Sequence, residues 1–272
     1  MKHIFLPIVS ILLLLCACGA TADTIDTTTA CETTSPSVMT TAPVLEPTTL
    51  ATEPTEAPIE LPQAQVSTED MISYFQEVCL DAEFENSGDS SLLQKWTEPI
   101  YYKILGQPTE ADLDILCQFC EELNTIHGFP GIYPVDENAT QLANLCIHFC
   151  TEEEFLNILG ENFGGCDGGV TFFYDDNNRI YDATICCRTD LDQQVRNSVI
   201  LEEIYNGLGP VQDTWLRQDS LIYAGYSTPQ WMTQIDKVIL QLLYHPDMKC
   251  GMNAEQCAAV IRSLYQENTD KA

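Results

Sequence analysis

The 272-residue chain carries 41 acidic and 11 basic residues, a formal net charge of −30, and is 45% hydrophobic. Such a surplus of negative charge excludes nucleic acid and anionic lipid as electrostatic partners. It serves solubility, with a cationic partner as the second reading.

The first residues, "MKHIFLPIVSILLLLCACGA", place a Lys ahead of an apolar run from Ile8 to Leu15 that is too short to span a bilayer. This is the pattern of an export signal. It closes on "LCAC", with small Ala17 directly before Cys18, as in bacterial lipoprotein signals whose cysteine thiol receives a diacylglyceryl group before cleavage. Residues 1–17 are therefore expected to be removed and Cys18 to become a lipidated N-terminus. Cys16 is the poorer acceptor because bulky Leu15 precedes it. A lipid anchor would place the chain on the outer face of the cell membrane, where two or more acyl chains hold stably and one holds only marginally.

From Gly19 to Val66 the sequence is rich in Thr, Pro, Ala and Glu, with no Lys, Arg or aromatic residue. It has too little apolar surface to offset the entropy of ordering, so residues 18–66 read as a disordered tether. At about 3.1 Å per residue in a Pro-rich coil it would reach on the order of 150 Å.

Residues 67–272 are long enough for one sizeable core. Hydrophobic periodicity assigns their elements in order. "STEDMISYFQEVCLDAEFE" (67–85) is a helix with Ser67 and Asp70 at capping-box spacing. "KWTEPIYYKI" (95–104) is a strand, and "TEADLDILCQFCEELNTIHG" (109–128) a helix stopped by Gly128. "NLCIHF" (144–149) alternates Leu145, Ile147 and Phe149 against Cys146 and His148, a strand with one oilier face. Residues 169–187 read as a hairpin around "DDNN". Three helices follow, at 192–209, at 228–246 before Pro246, and at 253–268 with Asn253 and Gln256 as its cap. The loop "GGCDGG" (164–169) follows a helix and is no phosphate cradle. The fold class is α+β.

Eleven cysteines remain once Cys16 and Cys18 are set aside, and their spacing forms no disulfide framework. Cys117 and Cys120 form a CxxC inside a helical pattern and read as core thiols. Cys186 and Cys187, adjacent on a strand, point to opposite faces.

Four stretches together resemble a metzincin-type zincin. "KWTEPIYYKI" is similar to the first strand of the matrixin-like group and "ANLCIHF" (143–149) to its second signature strand. "DSLIYAGY" (219–226) resembles the methionine turn, and "TQIDKVILQLLY" (233–244) the closing helix. The resemblance implies a twisted mixed sheet, a backing helix, an active-site-like helix and C-terminal helices. With the leader, the chain resembles more closely a family of bacterial secreted or lipid-anchored proteins classed as a domain of unknown function. The residues that carry this are "AEF" (82–84), "KW" (95–96), "EEIYNGLGPVQD" (202–213) and "LYHPDMKCGM" (243–252).

A zincin helix carries HExxH, two His ligands one turn apart with a general-base Glu between them, then a glycine turn and a third His. The resemblance puts these ligand positions at Glu202, Asn206 and Gln212, the base at Glu203 and the turn at Gly209. No imidazole is present at any of them. The turn methionine is Ile222, followed by Tyr223. Amides and a carboxylate grip zinc poorly and suit harder cations that ask for more oxygens. Of the four histidines, His3 leaves with the leader, and His127, His148 and His245 are scattered over separate elements.

A plain amphipathic helix, with Val199, Ile200, Ile204 and Leu208 inward and Glu202, Glu203 and Asn206 outward, would also account for the pattern. Gly209, Asp213 and Tyr223 at zincin spacing favour a retained cleft, with Asp213, Ile222 and Tyr223 as its candidates. The expectation is a non-catalytic binding or scaffolding module without a cofactor, engaging a peptide, a wall polymer or a neighbouring protein. The alternative is a hydrolase using a harder cation at Glu202, Glu203 and Asp213.

Overall fold

The computed structural model describes residues 66–80, 92–135, 141–225 and 227–271. The leader, Cys18 and the tether to residue 65, the "AEF" stretch and Tyr226 lie outside them.

Helix α1 (Thr68–Leu80) opens the domain, with the Ser67 hydroxyl donating to Asp70 Oδ2 at 2.7 Å. Strand β1 (Lys95–Trp96) and strand β2 (Ile100–Gly106) replace the single strand expected over 95–104. Pro99, which has no N–H, sits between them. Past it the chain moves to another place in the sheet, held by Asn144, whose side chain accepts from Tyr101 N at 2.6 Å and donates to Pro99 O at 3.1 Å.

Helix α2 (Glu110–Leu123) begins at a Thr109/Asp112 capping box. It ends before Gly128 because the Asn124 side chain turns away to pair with both the N–H and the C=O of Ile132, at 2.8 and 2.9 Å. Ile132 starts strand β3 (Ile132–Pro134), which leads to β4 (Leu145–Cys150). Helix α3 (Glu152–Leu159) and a 3-10 turn (Glu161–Phe163) follow, then β5 (Gly168–Tyr174) and β6 (Arg179–Arg188). Gly168 and Gly169 of "GGCDGG" thus belong to a strand. Three helices complete the domain: α4 (Gln193–Asn206), α5 (Gln234–Leu243) and α6 (Ala254–Lys271).

The sheet runs β3–β2–β4–β6, all parallel, with β5 antiparallel on the other side of β6. Ile180 is flanked by Trp96 of β1 and Tyr174 of β5, so β1 shares the edge of β6 that β4 occupies further along. The fold is mixed α/β with a mostly parallel sheet and six α-helices among the described residues, in keeping with the α+β expectation.

Registers of Leu145↔Ala183, Ile147↔Ile185 and Phe149↔Cys187 put these six residues into the main core. There each fully buried aliphatic or aromatic side chain contributes about 1.5–3 kcal/mol. Cys186 and Cys150 point the other way, into a smaller cluster under α3 with Phe155. Helix α4 is enclosed on most sides: Ile200, Leu201, Ile204 and Tyr205 are at most 1% exposed, and Arg196 is buried as well. Arg196 donates to Asp112 Oδ1 at 2.8 Å, to Thr189 O at 2.8 Å and to the Thr109 hydroxyl at 3.2 Å, tying the start of α4 to the start of α2.

Candidate functional site

Helix α4 ends where Gly207 O accepts from Trp96 Nε1 at 2.8 Å and Leu208 O accepts from the Tyr244 hydroxyl at 2.7 Å. Gly209 then turns the chain at φ 128°, with Gln94 O only 2.8 Å from where a Cβ would stand. No side chain fits there. Past the turn, Val211, Asp213, Tyr223 and Ala224 share a lining with α4 and β5, while Gln212 and Thr214 bond to α1.

The segment after it is fixed by Asp236. This fully buried carboxylate caps its own helix with Thr233 and also accepts from the Ser220 hydroxyl at 2.6 Å and from Leu221 N at 3.1 Å. Burial pushes its acidity weaker than that of an ordinary Asp, against the hydrogen bonds from Ser220, Thr233 and Leu221 that favour the charge. The 220–223 turn is therefore clamped to the N-terminus of α5.

Between α4, β5, the 163–170 segment and the clamped turn lies a groove of about 540 Å³. Glu202, Glu203 and Asn206 enter it from α4, Asp213 and Tyr223 from the returning chain, and Asp167 from the glycine-rich loop. Positions 202 and 206 are one helical turn apart and 203 lies between them, so spacing alone puts all three on adjoining rows of the helix surface. They are not the solvent-facing stripe of a simple amphipathic helix. Glu203 and Asn206 are each only 8% exposed, and Glu202 is half-buried.

The close approach of β5 makes this burial possible. A Cβ at Gly168 would stand 2.5 Å from Val199 Cγ1 and 2.6 Å from Glu203 Oε1, so the absence of a side chain at 168 is what makes room for the Glu203 carboxylate. Asn206 contributes a different feature. Its side-chain oxygen is buried and has no hydrogen-bond partner.

Two sequence-derived positions fall elsewhere. Gln212 does not line the groove; its amide donates to Asp213 O at 3.1 Å, and its backbone N–H to Val78 O at 3.3 Å. Ile222 is fully buried in the main core instead of the cleft, and its carbonyl accepts from Thr214 N at 2.9 Å. Tyr223, the next residue, faces the groove, with Trp215 packed edge-on against its ring at 5.7 Å between centroids. None of His127, His148 and His245 lines the groove. Among the described residues no group of three or more His, Cys, Asp or Glu side chains is placed to hold a metal ion.

Residues 68–263 match the family described as "Protein of unknown function (DUF2927)". The chain belongs to this family. No curated protein matches it. The groove lies wholly inside the DUF2927 match, and so do the "KW" and "LYHPDMKCGM" segments, which meet one another. Lys95, buried beneath the Tyr244 ring, donates to Leu243 O at 2.7 Å and to Met248 O, capping the carboxyl end of α5.

In the DUF2927 domain Asp167, Glu202, Glu203 and Asp213 bring carboxylates to the groove, and among the described residues no Lys or Arg lines it. Asp167 is the groove residue that motif reasoning missed. Its signal was the two glycine pairs around "CD", which allow a loop to press close to a neighbouring helix.

Proposed function

We propose that the domain is a non-catalytic peptide-binding module with a zincin-like layout, held outside the cell membrane by a lipid on Cys18. The observation that carries this reading is the groove between β5 and α4. Among the described residues β5 pairs only with β6, so its other edge keeps a row of backbone N–H and C=O groups for a further strand. An extended polypeptide lying there would pair with the backbone and set its side chains into the groove.

The order of parts supports the zincin-like layout: sheet, backing helix α2, helix α4 with its glycine turn, the clamped turn at 220–223, then α5. Three features weigh against catalysis. The ligand positions hold a carboxylate and two amides, Gln212 is turned away from the groove, and Glu203 packs against Gly168. Glu203 would need a low-pKa water to act as base, and a zinc ion to lower that pKa. The hydrolase alternative asks Glu202, Glu203 and Asp213 to converge on a harder cation, and no described group of three acidic side chains does so.

Hydrogen exchange tests the peptide reading. Capped ten-residue peptides rich in Val and Thr, added to the full chain, should slow exchange of the 168–174 amides and emerge uncut with or without divalent cations. Peptides that leave β5 exchange unchanged, or that are cleaved, would count against it. The anchor is tested separately, by whether Cys18→Ala releases the chain from the membrane fraction. No described helix is long and apolar enough to cross a membrane.

A further inference from the structure

A second cavity, of about 600 Å³, lies where the "KW" strand meets the 244–250 segment, and its lining shares no residue with the groove. Its charge runs against that of the molecule. The chain carries 41 acidic residues to 11 basic, yet Lys95, Arg179 and Lys249 line this cavity and, among the described residues, no Asp or Glu does. Arg179 is neutralised by Asp175, which accepts from its Nε and Nη2 at 2.8 and 2.6 Å and leaves Nη1 over. The two lysines bond only to carbonyl oxygens among the described residues. Lys95 donates to Leu243 O and Met248 O, and Lys249 to Pro246 O. The carboxyl end of α5 offers Lys95 about half a negative charge, and a single carbonyl offers Lys249 less.

Lys95 is only 8% exposed, and a buried charge is normally met by an opposite one, because its desolvation is otherwise uncompensated. Burial weakens its hold on the proton most, and the charge of Lys249 weakens it further, so the two ammonium groups lie near enough to repel each other. Two like charges in one lining, one of them buried and neither beside an acid, mark the place of a counter-ion that the described chain does not supply.

We infer that this cavity binds a phosphate group, as the free ion or a monoester, held by Lys249, Arg179 and the charge of Lys95. A dianion matches the two uncompensated positive charges, where a carboxylate would leave one over. Ammonium groups bind phosphate as point charges, and a guanidinium N–H binds it as a directed donor. His245 and Asn177 belong to the same lining. The His245 ring accepts at Nδ1 from Asp247 N at 3.2 Å, which puts the proton of the neutral ring on Nε2, a donor. The Asp247 carboxylate, 3.8 Å from that Nδ1, stands outside the lining, as does Asp175. The net charge of −30 opposes an anion at long range, but salt confines that field to about 8–10 Å, and inside the cavity the nearest charges decide.

The test is equilibrium dialysis of the full chain against radiolabelled inorganic phosphate, at fixed ionic strength and about pH 7, where a phosphate monoester is mostly doubly charged. About one phosphate per chain should be held saturably, and acetate in roughly tenfold excess should displace little of it. Lys249→Gln and Lys95→Met should each weaken binding roughly tenfold or more, about one charge-assisted contact. Arg262→Gln, which removes a cation paired with Glu69 on another face, should leave it unchanged. Lys249 is exposed, so its replacement tests the site even where Lys95→Met alters the fold. Phenyl phosphate that competes better than phosphate itself assigns the site to an ester, and phenyl phosphate that fails to compete assigns it to the free ion. The proposal is overturned by absence of saturable binding, by undiminished binding in Lys249→Gln, by equal loss in Arg262→Gln, or by displacement with acetate as readily as with phosphate. None of these outcomes bears on the groove, whose peptide reading stands or falls by its own exchange test.

Discussion

Asp112 and Arg196 show how one residue pair fixes the whole site. The Asp112 carboxylate is fully buried, and burial by itself would weaken it as an acid. The Thr109 N–H, the Gln193 amide, the Arg196 guanidinium and the Thr109 hydroxyl more than offset this and hold it below the ordinary Asp value. Because α4 starts at this network and lines the groove from Val195 to Asn206, its rotation and depth are set here. Removing one partner leaves an uncompensated buried charge, so Arg196→Met should destabilise the domain by about 3–5 kcal/mol. In urea unfolding, the double variant Asp112→Leu with Arg196→Met should recover most of that loss, and a double variant as unstable as the single one would show that the pair contributes more than mutual neutralisation. At this scale the sequence was informative only where a period exists. Glu202, Glu203 and Asn206 lie on one helix, and helical spacing alone brings them together. Beyond Gly209 the chain has no period, so nothing in the sequence told Ile222, which enters the core, from Tyr223, which faces the groove, and nothing marked Gln212 as turned away. The Arg196–Asp112 pairing was equally hidden, since 84 residues separate the partners.

Elements were legible where caps and alternation coincide, as in α2, β4 and β6, and illegible where long-range pairing decides. Strand β3 is three residues long and exists because Asn124 presents Ile132 to β2. Helix α3 was legible only as a helix without bounds ahead of "GGCDGG", although Thr151 and Glu154 form a capping box, because only Phe155 in it is buried and its apolar stripe is short. The two-residue β1 matters beyond its length, since Lys95 brings its ammonium to the end of α5, where no carboxylate among the described residues pairs with it. Burial, more than any neighbour, lowers its pKa from 10.5 to about 8. The unfolded chain therefore holds this proton up to a higher pH than the folded one, and stability from this group rises between about pH 8 and 10.5. The difference in unfolding free energy between the natural chain and Lys95→Met should be flat below about pH 7 and climb above pH 8 by up to about 3 kcal/mol. Chemical denaturation at several pH values measures it. A flat difference across that window would mean that Lys95 is solvated in the folded state.

Taken as a whole molecule, the chain concentrates its chemistry unevenly: acidic at the groove, apolar in the core, and rich in thiols that a secreted protein would ordinarily pair. The ten cysteines among the described residues form no disulfide with one another. Their stability as thiols follows from where the fold puts them. Burial pushes Cys120 up to about 12 and Cys257 to about 11, and it drives Cys79 and Cys187 well above the ordinary thiol value. The reactive form is the thiolate, so these four are protected twice, by lack of access and by protonation. Cys117, the outer half of the CxxC on α2, is exposed. Expected in the core, it is instead open to reagents, although it is only one turn from buried Cys120. Iodoacetamide at pH 8 should therefore label Cys117 first in the folded chain, whereas Cys79, Cys120, Cys187 and Cys257 should react only as denaturant unfolds the domain, in step with loss of the core. Mass spectrometry of peptides from a denaturant series reads both events. Early labelling at Cys79 or Cys187 would mean that α1 or the central sheet opens well before the rest, a division that the single continuous core running from α1 to α6 does not allow.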